Sequence, residues 1–143
     1  MFKKSFVAVL VSVLLALMVG TTAFASEAAM SPEIAKALAE VEQVNADIYK
    51  EIGKGQEKAD KLYDEYLQDA SKETDVEKLA ALEVKYQVKL TEIISKVDIK
   101  TQEMTREGVA KAKQAGLDVE IEWIPVQFAD RVALIDPIRV VSW

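Results

Sequence analysis

SPEIAKALAEVEQVNADIYKEIGKGQEKADKLYDEYLQDA, residues 31–70, reads as one long helix. Ser31 is an N-cap, Pro32 takes the first helical position and Glu33 places an acid in the first turn. From there Ile34, Leu38, Val41, Asn45, Ile48, Ile52, Gly55, Ala59, Leu62 and Tyr66 recur in alternating steps of four and three, a heptad seam with Asn45 as its one polar member. A lone Asn on such a seam lowers stability and favours one register. Gly53 and Gly55 each cost about 1 kcal/mol against Ala inside a helix. The apolar steps stay in phase on both sides of them, which points to Gly55 as a place of close approach by a facing helix and not to a bend.

Periodicity lapses over residues 69–74, and Thr74-Asp75-Val76-Glu77 then reads as a capping box opening a second helix. Its stripe is Leu79, Leu82, Tyr86, Leu90, Ile93, Val97 and Met104, and Gly116 stops it after Lys111 and Lys113. Two helices of nearly equal length, each extending ~60 Å at about 1.5 Å per residue, fold back on each other across a tight turn. An antiparallel pairing about that turn sets Tyr66 near Leu79, Ala59 near Tyr86, Ile52 near Ile93, Ile48 near Val97 and Asn45 near Lys100. Glu57 with Lys61, Glu92 with Lys96 and Glu107 with Lys111 are solvated i,i+4 pairs.

After Gly116 the period changes to two: Leu117, Val119, Ile121 and Trp123 alternate with Asp118, Glu120 and Glu122. A second β-rich run, residues 131–141, follows the Ala129-Asp130 turn. With Phe128 and Arg131 flanking that turn, Glu120 faces Arg139, and Val119, Ile121 and Trp123 face Val140, Ile138 and Asp136. Pro125 and Pro137 must turn their missing donors outward or sit at a bulge. A lone two-stranded hairpin is marginal in water and needs a surface. The open end of the helices, kept slim by Ala35, Ala37, Ala39, Ala110, Ala112 and Ala115, is the expected one, with Leu117, Val119, Ile121, Trp123, Ile138 and Val140 docking there. The expected class is mainly α (α+β): a long antiparallel helical hairpin over 26–116 followed by a small two-stranded β-hairpin over 117–143.

Residues 1–25 read as a cleaved secretory signal peptide: Lys3 and Lys4, an apolar run from Phe6 to Val19, and Ala23-Phe24-Ala25 before the cut. That run is shorter than the ~20 residues a spanning helix needs, so no stable membrane insertion is expected after cleavage. The expected location is secreted or extracytoplasmic. The 143 residues hold 24 acids against 18 bases, no His and no Cys. That composition rules out Ser-His-Asp triads, Cys nucleophiles, thiolate or imidazole metal sites and disulfides. The net charge of −6, more negative still without Lys3 and Lys4, disfavours nucleic acid.

Carboxylates remain. Asp118, Glu120 and Glu122 share a strand face with ~6.6 to 7 Å between them, a poor match to a calcium loop, and read as a solvated face that makes at most a weak divalent-cation binder with Asp130 or Asp136. Asp130 and Asp136 as an acid/base pair lack a cleft, so no enzyme activity, cofactor or metal is expected. Trp123, Phe128 and Trp143 cluster in the tail and are the candidate partner contacts. Val84, Val88 and Ile99 lie off the main seam of the second helix and suggest self-association or a protein partner. The expected function is a non-enzymatic protein-interaction or structural module. The alternatives are an exported holdase-like chaperone, which long helices on a small β base resemble in architecture, and a cell-wall or carbohydrate-binding module using the aromatic tail.

Overall fold

The computed structural model describes residues 30–143, so the expected signal peptide, residues 1–25, lies outside the described residues. Two helices, α1 (Pro32–Ala70) and α2 (Val76–Gln114), run 39 residues each. Four short strands follow: β1 (Asp118–Ile121), β2 (Ile124–Phe128), β3 (Arg131–Ile135) and β4 (Ile138–Ser142). The molecule is a long helical hairpin with a β-ribbon laid along it, mainly α with a small β part, as the periodicities indicate. Among the described residues no helix is long and apolar enough to cross a membrane.

Helix ends obey local chemistry. Ser31 Oγ accepts from Ile34 N–H at 3.2 Å. Gly116, at φ 91°, ends α2 in a left-handed turn in which Leu117 N–H reaches Ala112 O and Gly116 N–H reaches Lys113 O, the two bonds of a Schellman motif. At the start of α2 the cap is Asp75, not the expected Thr74: its carboxylate accepts from the Glu77 and Lys78 N–H groups at 2.9 and 3.2 Å. A full negative charge at a helix N-terminus outcompetes a hydroxyl one residue earlier. Glu73 in turn accepts from the Thr74 and Asp75 N–H groups.

The helices pair one heptad away from the expected register. Tyr66 stacks on Tyr86 at 4.8 Å between ring centroids, where Leu79 was expected opposite it. Gly55, not Ile48, meets Val97. A stripe that repeats every seven residues is nearly degenerate to a seven-residue slide, and large-to-small matching decides. A methyl built on Gly55 would lie 2.4 Å from Val97 Cγ2 and 3.0 Å from Phe128, so the glycine admits both side chains. The slide also brings Lys100 to Glu51, 2.9 Å away, with Lys54 on the other carboxylate oxygen at 2.6 Å. Hydrogen bonds from Lys54 and Lys100 pull the Glu51 carboxyl down to about 2.

Both halves of the ribbon keep the expected register, Phe128 opposing Arg131, Glu120 opposing Arg139 and Val119 opposing Val140 with a shift between Asp118 and Val119, but the expected Trp123–Asp136 pair is in neither ladder. Arg139 and Glu120 pair at 2.6 Å. Ala129 adopts the positive φ (52°) that a two-residue hairpin turn requires. The ladder breaks in the middle, giving two sheets, β1 with β4 and β2 with β3. Pro137 sits in the break, and Glu122 N–H still donates to its carbonyl at 3.0 Å.

At this break the ribbon rolls over. Val119 and Ile138 face the helices on one side of it, Val126, Phe128 and Ile135 on the other, so the inward parity changes on both strands. The docking expectation is therefore corrected in two respects. Ile121 and Trp123 are turned out and exposed, although Leu117, Val119 and Ile138 do dock on Ala37 and Ala112 at the open end. The ribbon also runs well past that end. Phe128 is completely buried in the main core with Ile48, Ile52, Leu90 and Ile135, so it belongs to the interior and not to a contact surface.

The two helical glycines of α1 should respond oppositely to alanine. Gly53 has nothing within 4 Å of a built methyl, so Gly53→Ala should raise unfolding free energy by about 0.5–1 kcal/mol. Gly55→Ala should lower it by about 1–3 kcal/mol, both read from urea denaturation. Glu51 supplies a pH signature. Its folded-state value is depressed, so its contribution is complete above its ordinary value of 4.5 and lost as pH falls from there toward 2. The stability difference between wild type and Glu51→Gln should accordingly shrink across that acid window.

Candidate interaction surface

Polar contacts from both helices fix the ribbon, among them the Gln56 amide of α1, which donates to Gln127 O at 2.9 Å. The Asn45 amide donates to Ile138 O at 2.7 Å and accepts from Ile138 N–H at 2.8 Å, serving the ribbon backbone as a neighbouring strand would. The seam asparagine thus answers to the ribbon and not to Lys100. Thr105 Oγ1 donates to Asp136 O at 2.5 Å. Nearer the tip, Arg131 donates to Gln87 and to Thr91 on α2, and Tyr86 donates its hydroxyl proton to Asp130. Burial and the Asp130 hydrogen bond push the Tyr86 phenol well above its ordinary range.

Asp130 and Asp136, weighed above as an acid/base pair, therefore serve different places. Asp130 holds Tyr86 under the turn. Asp136 is 3 % exposed at the break, and its Oδ1 has no hydrogen-bond partner. Burial pushes its carboxyl above the ordinary value of 3.8, with Asp98 adding to the effect, while bonds from its own backbone and from Thr101 oppose it. Asp118, Glu120 and Glu122 remain exposed, and among the described residues no group of three or more acids is disposed to hold a metal ion.

The roll of the ribbon at Glu122–Trp123 makes the most distinctive surface. Ile121 and Trp123 stand beside α2 and, with Ile99, Gln102, Arg106 and Val109, wall an open groove of about 620 Å³ that Asp136 also lines. Trp123 is 54 % exposed and Ile99 64 %. Trp143 is likewise half exposed at the far end of the ribbon. Of the three aromatic candidates, Trp123 lies on this groove and Phe128 is interior. The alternation of β1 had placed Trp123 inward, and only Asp136-Pro137 opposite it signals the break that turns it out.

On α2 the groove continues into a strip. Val84, Val88, Thr91, Ser95, Ile99 and Gln102 are all exposed and uncharged, spaced 4, 3, 4, 4 and 3 residues apart on the side away from α1. Val84 and Val88 are 63 % and 53 % exposed. Val84, Val88 and Ile99, with the small or uncharged Thr91, Ser95 and Gln102 between and beyond them, form a strip of ~27 Å whose bared apolar side chains are of the kind found at association sites. No family model, curated protein or solved structure matches the chain.

Asp136 should report on its own burial. Its folded-state value lies above the unfolded one, so its ionisation penalises the native state at neutral pH, and the penalty fades as pH falls through the folded value. Asp136→Asn should be at least as stable as wild type at pH 7 in thermal denaturation. Its advantage should vanish on acidification toward pH ~4.

Proposed function

We propose that this chain is a non-enzymatic protein-interaction module, acting outside the cytoplasm, whose working surface is the outer strip of α2 together with the Trp123 groove. The observation that carries the reading is that strip: uncharged residues at helical spacing, with Val84, Val88 and Ile99 each more than half exposed. Burying such side chains against another chain contributes about 1.5–3 kcal/mol each when complete, and an aromatic anchor beside them is the usual composition of an interface centre. The extracytoplasmic part of the reading rests on residues 1–25, whose basic start, apolar run and small-residue cut form an export signal.

The chemistry present favours binding over turnover. With no His or Cys, the chemistry left is that of carboxylates, Lys, Tyr and hydroxyls, and the two acids weighed as a pair lie apart, Asp130 accepting from Tyr86 under the turn and Asp136 buried at the break. Ile99→Glu and Trp123→Ala test the reading. Both side chains are exposed, so thermal unfolding should move by no more than ~0.5 kcal/mol. Cross-linking in the producing culture should trap wild type with another chain, a second copy or a different protein, and both variants should lose the adduct. Unchanged adducts in both would overturn the proposal.

A further inference from the structure

We infer that the outer strip of α2 is the seam of an antiparallel homodimer, in which α2 of one copy lies along α2 of a second. This rests on the interaction reading above and names the occupant. The argument is charge complementarity under a two-fold axis. One flank of the strip carries Lys85, Glu92, Lys96 and Glu103. Lys85 and Glu103 lie nine positions either side of residue 94, and Glu92 and Lys96 lie two positions either side of it, each pair opposite in sign. An isologous contact sets residue i against j and j against i. An antiparallel pair centred there therefore matches Lys85 with Glu103 and Glu92 with Lys96, twice each.

The strip centres within one residue of the same point: Val88 meets Ile99, Thr91, whose hydroxyl also accepts from Arg131, comes near Ser95, and Val84 comes near Gln102. The expected Glu92–Lys96 pair along the helix is not closed, and none of the four flanking charges has an ion-pair partner among the described residues. A parallel pair would instead set each charge against its own copy, Lys85 on Lys85 and Glu103 on Glu103. Trp123, beside Gln102 and Arg106, stands at the C-terminal end of the strip.

The test uses the chain expressed at full length from its own start codon, with light scattering after size exclusion and sedimentation equilibrium. Wild type should be a dimer at tens of micromolar. Lys85→Glu with Lys96→Glu makes the flank wholly acidic, and Glu92→Lys with Glu103→Lys makes it wholly basic. Each double variant alone should dimerise roughly tenfold or more weakly, and an equimolar mixture should regain wild-type affinity. Circular dichroism confirms that each variant is folded. A nitroxide on Glu77→Cys, in a chain with no cysteine of its own, should show an intermolecular distance of ~50 Å, against less than ~20 Å for a parallel pair.

A monomeric wild type, double variants that dimerise as well as wild type, a mixture that does not recover, or a short nitroxide distance would each overturn the inference. The broader reading fails separately. It survives a monomeric wild type if a different protein is trapped and Ile99→Glu abolishes that adduct, and it falls if neither occurs.

Discussion

The paired hydrogen bonds between the Asn45 amide and the backbone of Ile138 determine where everything else lies. Two helices alone bury one stripe each and leave a groove, and a two-stranded ribbon alone does not hold in water. Each needs the other, but apolar contact is non-directional and would let the ribbon slide. Asn45 supplies both a donor and an acceptor to one residue of β4, which sets the ribbon's position along α1. Replacing it with an aliphatic side chain would leave an N–H and a carbonyl of the ribbon without their partner. Once Ile138 is placed, Phe128 falls at Gly55 and Arg131 at Gln87 and Thr91, so the tip and its contacts follow from the middle.

Most of this architecture is legible in the amino-acid order, and the failures have identifiable causes. Ser31, Pro32 and Gly116 mark helix ends by local backbone chemistry, which needs no tertiary knowledge. The pairing of Glu120 with Arg139 follows from turn position and period, and a register cannot slip by one residue without inverting a buried face. The helix register is different in kind. Seven-residue repeats make neighbouring alignments nearly equivalent along the stripe, and the choice rests on the fit of Val97 and Phe128 over Gly55, which depends on a third element.

The surface was half legible for a related reason. Val84, Val88 and Ile99 announce themselves because they depart from the seam of their own helix. Phe128, a candidate contact, is interior, and Trp123, a candidate contact also placed on the docking face, is turned out, because a proline opposite the strand breaks the ladder and the ribbon rolls. Alternation describes a continuous strand, and each half of this ribbon obeys it separately. Asn45 carried a visible signal, a polar residue on an apolar seam, but its partner lies 93 residues away and nothing local identifies it.

That separation bears on how the molecule comes into being. The helices precede the ribbon in the chain, so synthesis delivers the groove before the segment that fills it. Contacts within the helical hairpin close a short loop, whereas docking of Ile138 and Phe128 closes loops spanning most of the molecule, which is entropically costly and slow. The main core, with Phe128 and Ile135 among its buried members, is therefore incomplete until the ribbon docks. Without the ribbon the paired helices would keep an open apolar trough, and the last strands are the keystone that closes it.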